Sequence, residues 1–166
     1  GTAYRHIRAN ANRDVLDFRY AGAFSSNRWN EPGEATLYLA GDPRVLVAEW
    51  GRQLQLSLAD NLLGQTVERE VYRLQLRLER VLDLRIPAIS AAFGIMDTPH
   101  QYADRAVARA PAARVRSIGP QGMLVPSIAF FDDPSRWNLV VFLETLPDNT
   151  DAWVQRVERI GPLRWN

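Results

Sequence analysis

Cysteine and lysine are both absent from the 166 residues of this chain. Without cysteine the protein has no disulfide, no thiolate nucleophile and no cysteine-based metal site. Without lysine it has no Schiff-base chemistry and no phosphate-binding loop that ends in lysine. All 20 basic residues are arginines. Any phosphate group must therefore be held by guanidinium groups, whose planar fork suits bidentate contacts.

Histidine, net charge and long apolar runs are also scarce. The two histidines, His6 and His100, lie far apart and form no metal-ligand motif, so we expect no metal and no cofactor. The net charge of +1 does not indicate electrostatic binding of nucleic acid. No apolar run approaches the roughly 18 residues of a membrane span, and the polar first residues lack the apolar core of a secretory signal. We expect no membrane interaction and action in the cytoplasm, with delivery as a secreted effector left open.

Length and composition predict one compact domain over residues 1–166, because 46% of the residues are hydrophobic and no linker or repeat interrupts the chain. Alternating polarity predicts strands over residues 4–8, 35–40, 72–86, 123–130 and 138–144. Helices are predicted after Pro43, over 101–110 with a stop before Pro111, and over 151–160. Residues 13–30 are typical of a loop. The fold class is α+β, with central mixed or antiparallel strands and flanking helices.

Tyr38 and Glu49 stand out in the best-defined part of this pattern. In the strand over 35–40, Leu37 and Leu39 point to one face and Tyr38 to the other, between small neighbours that leave room beside its ring. Asp42 is a suitable cap for the helix that follows. Glu49 lies about two turns into that helix among apolar residues, so its carboxylate is expected to be partly buried.

The common catalytic motifs GxSxG, GxGxxG and HExxH are absent. The remaining candidates are polar side chains in apolar or aromatic surroundings. Arg28 lies in the segment NRWN and Ser127 in the segment VPSI. Arg28, Tyr38, Glu49 and Ser127 follow one another in this order along the sequence.

In this order and spacing the sequence resembles the RES domain family, which is named for a characteristic Arg, Glu and Ser. Ten residues separate Arg28 from Tyr38, and eleven separate Tyr38 from Glu49. The match extends from about Tyr4 to Phe142. The segments that carry it are Tyr4-Arg5, Arg28-Trp29-Asn30, Tyr38 in LYLA, Glu49 in VLVAEW, Pro126-Ser127 and Asn138 in WNLVVF.

The resemblance implies a compact fold similar to ADP-ribosyltransferase toxins. It also implies a bacterial toxin that cleaves NAD, as substrate and not as cofactor, at the nicotinamide–ribose bond. The implied partner is an antitoxin of the Xre type or another immunity protein, and a homodimer is left open. ADP-ribose transfer to a protein and phosphorolysis of NAD remain alternatives that use the same site. A third alternative is a non-catalytic interaction module that binds through the exposed face of the strand over 72–86.

The implied reaction gives each candidate residue a role. Glu49 would supply negative charge beside the oxocarbenium-like ribose, because nicotinamide leaves as a neutral amide. Arg28 would hold the diphosphate and Tyr38 would stack on the nicotinamide ring. Ser127 would contact the nicotinamide or ribose, or orient Glu49. Arg5 and Asn30 complete the predicted binding residues, with Arg5 lining the pocket and Asn30 bracing the loop.

Overall fold

The computed structural model describes residues 1–9, 14–19, 21, 27–58, 68–96 and 100–163. They form one seven-stranded sheet with four α-helices, which confirms the α+β prediction. The strands are β1 (Thr2–Arg8), β2 (Thr36–Ala40), β3 (Arg69–Leu76), β4 (Val81–Asp83), β5 (Gly122–Pro126), β6 (Trp137–Phe142) and β7 (Val154–Leu163). The helices are α1 (Pro43–Leu58), α2 (Pro87–Ala92), α3 (His100–Ala103) and α4 (Arg105–Ser117), and two 3₁₀ turns span Leu143–Thr145 and Thr150–Ala152.

The sheet has the strand order β4-β5-β6-β2-β1-β3-β7. β4 and β5 are parallel, and the other neighbours are antiparallel. β1 pairs with β3 along its whole length. Between β1 and β2, in contrast, the pairing within the described chain consists of Tyr4 opposite Ala40. The two central strands therefore diverge from this point, and the cleft between them is available for a site.

The core packs on both faces of the sheet, as the alternation in β2 predicts. Leu37 and Leu39 belong to one buried cluster with Leu74. Tyr38 points the other way and packs at the edge of a second cluster, which contains Trp29 and the helix α4. The side chain of Tyr38 is consequently half-buried between core and cleft.

The start of α1 is also confirmed. The carboxylate of Asp42 accepts hydrogen bonds from the backbone amides of Arg44 at 2.7 Å and Val45 at 3.1 Å. Val45 and Trp50 are buried on the inner face of the helix. Glu49 lies beside them and is partly buried, as expected.

The predicted strands over 4–8, 35–40 and 138–144 are confirmed with small shifts at their ends. The strand expected over 123–130 ends earlier, at Pro126. The loop expected over 13–30 lies partly outside the described residues. Its described residues contain no helix or strand.

The prediction of a single long strand over residues 72–86 is wrong. β3 lies between β1 and β7, whereas β4 lies at the opposite edge of the sheet beside β5. The alternation of apolar and polar residues continues across the connection between β3 and β4. Leu74 and Leu76 are buried in one cluster, and Leu82 and Leu84 pack in the other. A period of two indicates which side chains are buried, but not which strand they pair with.

The prediction of a single helix over residues 101–110 is also wrong. α3 and α4 are separate helices, and α4 continues through Pro111. The carboxylate of Asp104 accepts hydrogen bonds from the amides of Ala106 and Val107, which begins the new helix. Proline removes one helical hydrogen bond. Pro111 nevertheless lies inside α4, where it is buried.

Residues 151–160 do not form the expected helix, because β7 extends the sheet beside β3. The spacing of Val157 and Ile160 is compatible with a helix, yet both side chains are exposed on the edge strand. The strand is favoured by the free edge of β3, across which Arg159 and Glu70 form an ion pair at 2.8 Å.

Replacing Gly122 by alanine is expected to destabilise the protein by about 1–3 kcal/mol, the usual cost of overpacking a core. A Cβ atom at Gly122 would lie 2.6 Å from the backbone oxygen of Val140 on the paired strand β6, where neither backbone moves easily. The free energy of unfolding by urea measures the effect. Gly1→Ala is the control, because an added Cβ there meets no atom within 4 Å. Equal stability of both variants would contradict this prediction.

A candidate active site in the cleft between β1 and β2

A cavity of about 350 Å³ occupies the cleft between β1 and β2. Arg5, Arg28, Tyr38, Glu49 and Asn138 are among the residues that line it. A larger and more open groove of about 610 Å³ lies elsewhere, and none of the predicted site residues is among the described residues that line it. The cavity in the cleft is therefore the candidate site.

The carboxylate of Glu49 is held by donors that come from the far end of the chain. Its Oε1 atom accepts hydrogen bonds from Ser127 Oγ at 2.6 Å, from Asn138 Nδ2 at 2.9 Å and from the amide of Ala129 at 3.4 Å. β5 ends just before Ser127, and β6 begins just before Asn138, so the strand ends bring these donors to α1. Among the described residues, Oε2 accepts no hydrogen bond, and it is the carboxylate oxygen left for a ligand.

Tyr38 is fixed through its hydroxyl group. The hydroxyl donates a hydrogen bond to Asn30 Oδ1 at 2.7 Å and accepts one from the backbone amide of Trp29 at 3.1 Å. Burial raises the pKa of the phenol above its usual range, so the hydroxyl stays protonated and remains a donor. The ring of Tyr38 is thereby held against the cavity at a defined angle.

Arg28 lies at the cavity and is anchored to the junction between α3 and α4. One terminal nitrogen, Nη1, donates hydrogen bonds to the carbonyl oxygens of Tyr102 and, at 2.7 Å, Ala103. Burial and the charge of Arg52 lower the pKa of Arg28 to about 10, while Glu49 acts in the opposite direction. The guanidinium is charged at neutral pH. Its Nε and Nη2 donors do not bond to these two carbonyls.

Arg5 reaches the cavity from β1. Its guanidinium donates a hydrogen bond to the carbonyl of Val15 and lies 4.9 Å from the ring centroid of Phe18. Burial lowers the pKa of Arg5 to about 10, and Asp17 and Asp14 partly offset this. Arg5 thus adds its positive charge to that of Arg28 in the lining.

His6, the next residue on β1, also lines the cavity, and we expect it to give the fold a pH dependence. Its ring lies 5.8 Å from that of Trp50, and burial, with the charges of Arg69 and Arg5, lowers its pKa from 6.5 to about 4. Since the folded pKa lies below the unfolded one, this contribution to stability is complete above pH 6.5 and is lost progressively as the pH falls to about 4.

We expect the free energy of unfolding to decrease by at most about 3 kcal/mol across this window because of His6. Urea unfolding of the wild type and of His6→Gln at pH 7.5, 5.5 and 4.5 measures it. The difference between the two proteins isolates histidine from the carboxylates that titrate at lower pH. A difference that does not change with pH would refute the assignment.

The structure separates the predicted residues into two groups. Arg5, Arg28, Tyr38 and Glu49 line the cavity, whereas Ser127 and Asn30 are buried behind it and are not among its described lining. Ser127 contacts Glu49 and Asn30 contacts Tyr38. Their geometry favours the orienting role for Ser127 over direct contact with a ligand.

Several lining residues had no role predicted from the sequence, among them Arg52, Arg105 and Asn138. Arg52 follows Glu49 by three residues on the same helix, and this helical spacing was a usable signal. Arg105 and Asn138 reach the cavity only through tertiary packing. Within the described part of the chain there is no cluster of three or more metal-ligating side chains. None of the described helices is long and apolar enough to cross a bilayer.

Comparison with known proteins bears on the family and the fold of the chain. Residues 2–166 match the RES domain. No curated protein matches the sequence significantly. Among solved structures, the fold is similar to a chain in the crystal structure of the M. tuberculosis MbcT–MbcA toxin–antitoxin complex. That similarity has a TM-score of 0.66 at 22% sequence identity and covers 99% of this chain and 83% of the other.

The family match extends over nearly the whole chain and includes the residues that line the cleft. The structural similarity independently supports the same fold. The chain belongs to the RES domain family.

Proposed function

We propose that this protein is a toxin that cleaves NAD at the bond between nicotinamide and ribose. The observation that carries the proposal is the carboxylate of Glu49, fixed by three donors to one oxygen and facing a cavity that also contains guanidinium groups. A fixed negative charge suits a developing ribosyl cation, and guanidinium groups suit a diphosphate. Both features of the substrate thus have matching groups in one cleft.

The bond between ribose C1′ and the nicotinamide nitrogen breaks with its electron pair going to nicotinamide, which leaves as a neutral molecule. Leaving-group protonation is therefore not required, and the barrier is lowered by charge stabilisation and positioning. Oε2 of Glu49 is the oxygen available to face the cation. Tyr38 offers its ring to the nicotinamide. Water then adds to C1′ and releases one proton.

The family and the structural similarity support a place in a toxin–antitoxin pair. The similar solved structure is that of a toxin bound to its antitoxin. We propose a cognate antitoxin as the partner of this chain and the cytoplasm, where NAD is available, as the place of action. Expression of wild type and of Glu49→Ala in a bacterial host tests the toxic role. Equal growth of cells that express wild type and Glu49→Ala would contradict a toxic role.

The central experiment is the incubation of purified protein with NAD and quantification of nicotinamide, ADP-ribose and any phosphorylated or protein-bound ADP-ribose. Release of nicotinamide with free ADP-ribose supports hydrolysis. A rate that depends on inorganic phosphate identifies a phosphorylase, and label on a protein identifies a transferase. Absence of nicotinamide release under all three conditions would refute the proposal.

A further inference from the structure

The charge distribution in the cavity is uneven. Arg28, Arg52 and Arg105 line the same cavity, and Glu49 is the one acidic residue in its described lining. Burial is the largest cause of the lowered pKa of Arg28, and the charges of Arg52 and Arg105 add to it. The guanidinium of Arg28 is thus close enough to those of Arg52 and Arg105 to be repelled by each.

Like charges that face one cavity repel one another, and an anion bound among them removes this cost. Some arginines elsewhere in the molecule are neutralised by carboxylates, as in the ion pairs of Arg85 with Asp83 and Arg136 with Asp42. In the described part of the chain, neither Arg52 nor Arg105 has an ion pair or a side-chain hydrogen bond. An anionic ligand in the cavity would compensate the charges of Arg28, Arg52 and Arg105 together.

Arg28 keeps its Nε and Nη2 donors, which suffice for one bidentate phosphate contact, whereas a diphosphate has two phosphates to hold. The Nη1 atom of Arg28 is already committed to the carbonyls of Tyr102 and Ala103. Arg52 lies one helical turn beyond Glu49, and side chains three residues apart on a helix are neighbours, with Cβ atoms about 5–6 Å apart. In NAD, the scissile C1′ atom and the nearer phosphate are carried by the same ribose, so neighbouring side chains of α1 can serve both.

We propose that Arg52 and Arg105, together with Arg28, form an arginine clamp that recognises the diphosphate of the substrate and selects dinucleotides over substrates with fewer phosphates. This inference rests on the proposed function for the identity of the substrate. It assigns Arg52 and Arg105 to binding and not to the chemical step. Their removal should therefore raise KM and leave kcat nearly unchanged.

The test uses three substrates that share the scissile bond and differ in phosphate content: NAD, nicotinamide mononucleotide and nicotinamide riboside. We expect the double variant Arg52→Gln/Arg105→Gln to raise KM for NAD by about 10- to 100-fold, the range for losing charge-assisted hydrogen bonds. The increase should be smaller for the mononucleotide and absent for the riboside. Arg44→Gln is the matched control, because Arg44 is exposed on the same helix and is not part of the described lining.

An equal change for NAD and the riboside, or no change for NAD, would overturn the clamp. Binding of ADP-ribose, measured by calorimetry, distinguishes failure of the clamp from failure of the proposed function. If the wild type binds ADP-ribose and the double variant binds it at least tenfold more weakly, the clamp is supported even when no nicotinamide is released. If the two proteins bind ADP-ribose equally, the clamp is refuted. Thermal unfolding of both proteins verifies that the variant is folded.

Discussion

Replacing Glu49 by glutamine is expected to lower the rate of nicotinamide release from NAD by about 10²–10³-fold, the effect of losing one electrostatic stabiliser of a transition state. The amide oxygen of glutamine can accept the hydrogen bonds from Ser127 and Asn138 that now reach Oε1. Its amino group then replaces Oε2 and presents partial positive charge to the cation. The substitution thus removes the charge and preserves the surrounding network.

The measurement is kcat for NAD, with kcat/KM to separate chemistry from binding. Glu79→Gln is the matched control, since Glu79 is exposed and lies outside the described lining of the cavity. Glu49→Asp gives a second comparison, because it keeps the charge but shortens the reach to the donors. Full activity of Glu49→Gln would refute a catalytic role for this carboxylate.

Replacing Asn138 by aspartate is expected to lower activity at neutral pH by about 10²-fold. Asn138 Nδ2 lies 2.9 Å from Glu49 Oε1, so the substitution replaces a donor by a second carboxylate at hydrogen-bond distance. Two carboxylates so close share a proton instead of both being ionised. The acid limb of the pH–rate profile is therefore expected to move to higher pH, and activity should partly recover in alkaline buffer.

A merely structural role of Asn138 would not move the pH profile. Asn138→Ala removes the donor without adding charge and is expected to lower kcat about 10-fold with an unshifted profile. Asn149→Asp is the matched control, because Asn149 is exposed and its side-chain oxygen accepts a hydrogen bond that aspartate can also accept. Identical profiles for wild type and Asn138→Asp would contradict a positioning role.

The candidate residues on β2 and α1 could be placed from sequence because their geometry is local. The alternation around Tyr38 sets the face on which its ring lies, and Asp42 sets the start of the helix that carries Glu49. Both are relations between residues a few positions apart. The resemblance to the RES family, which rests on the order and spacing of several short segments, then assigned these residues to one site.

Elements with more than one possible partner could not be placed in this way. The alternation over residues 72–86 is satisfied by two strands at opposite regions of the sheet as well as by one. The segment over 151–160 forms a strand because β3 has a free edge, which is a property of the assembled sheet. α4 begins after the cap at Asp104 and continues through Pro111, which is buried.

The sequence alone determined which groups are available: guanidinium groups as the only strong anion binders, and Glu49 as a carboxylate among apolar neighbours. Only the tertiary structure decided how they act together. Ser127 and Asn138 lie 78 and 89 residues from Glu49, yet both donate to one of its oxygens. Such contacts arise where strand ends meet a helix, and no local pattern encodes them. The structure therefore decided which oxygen of Glu49 is fixed, which is free, and which arginines share its cavity.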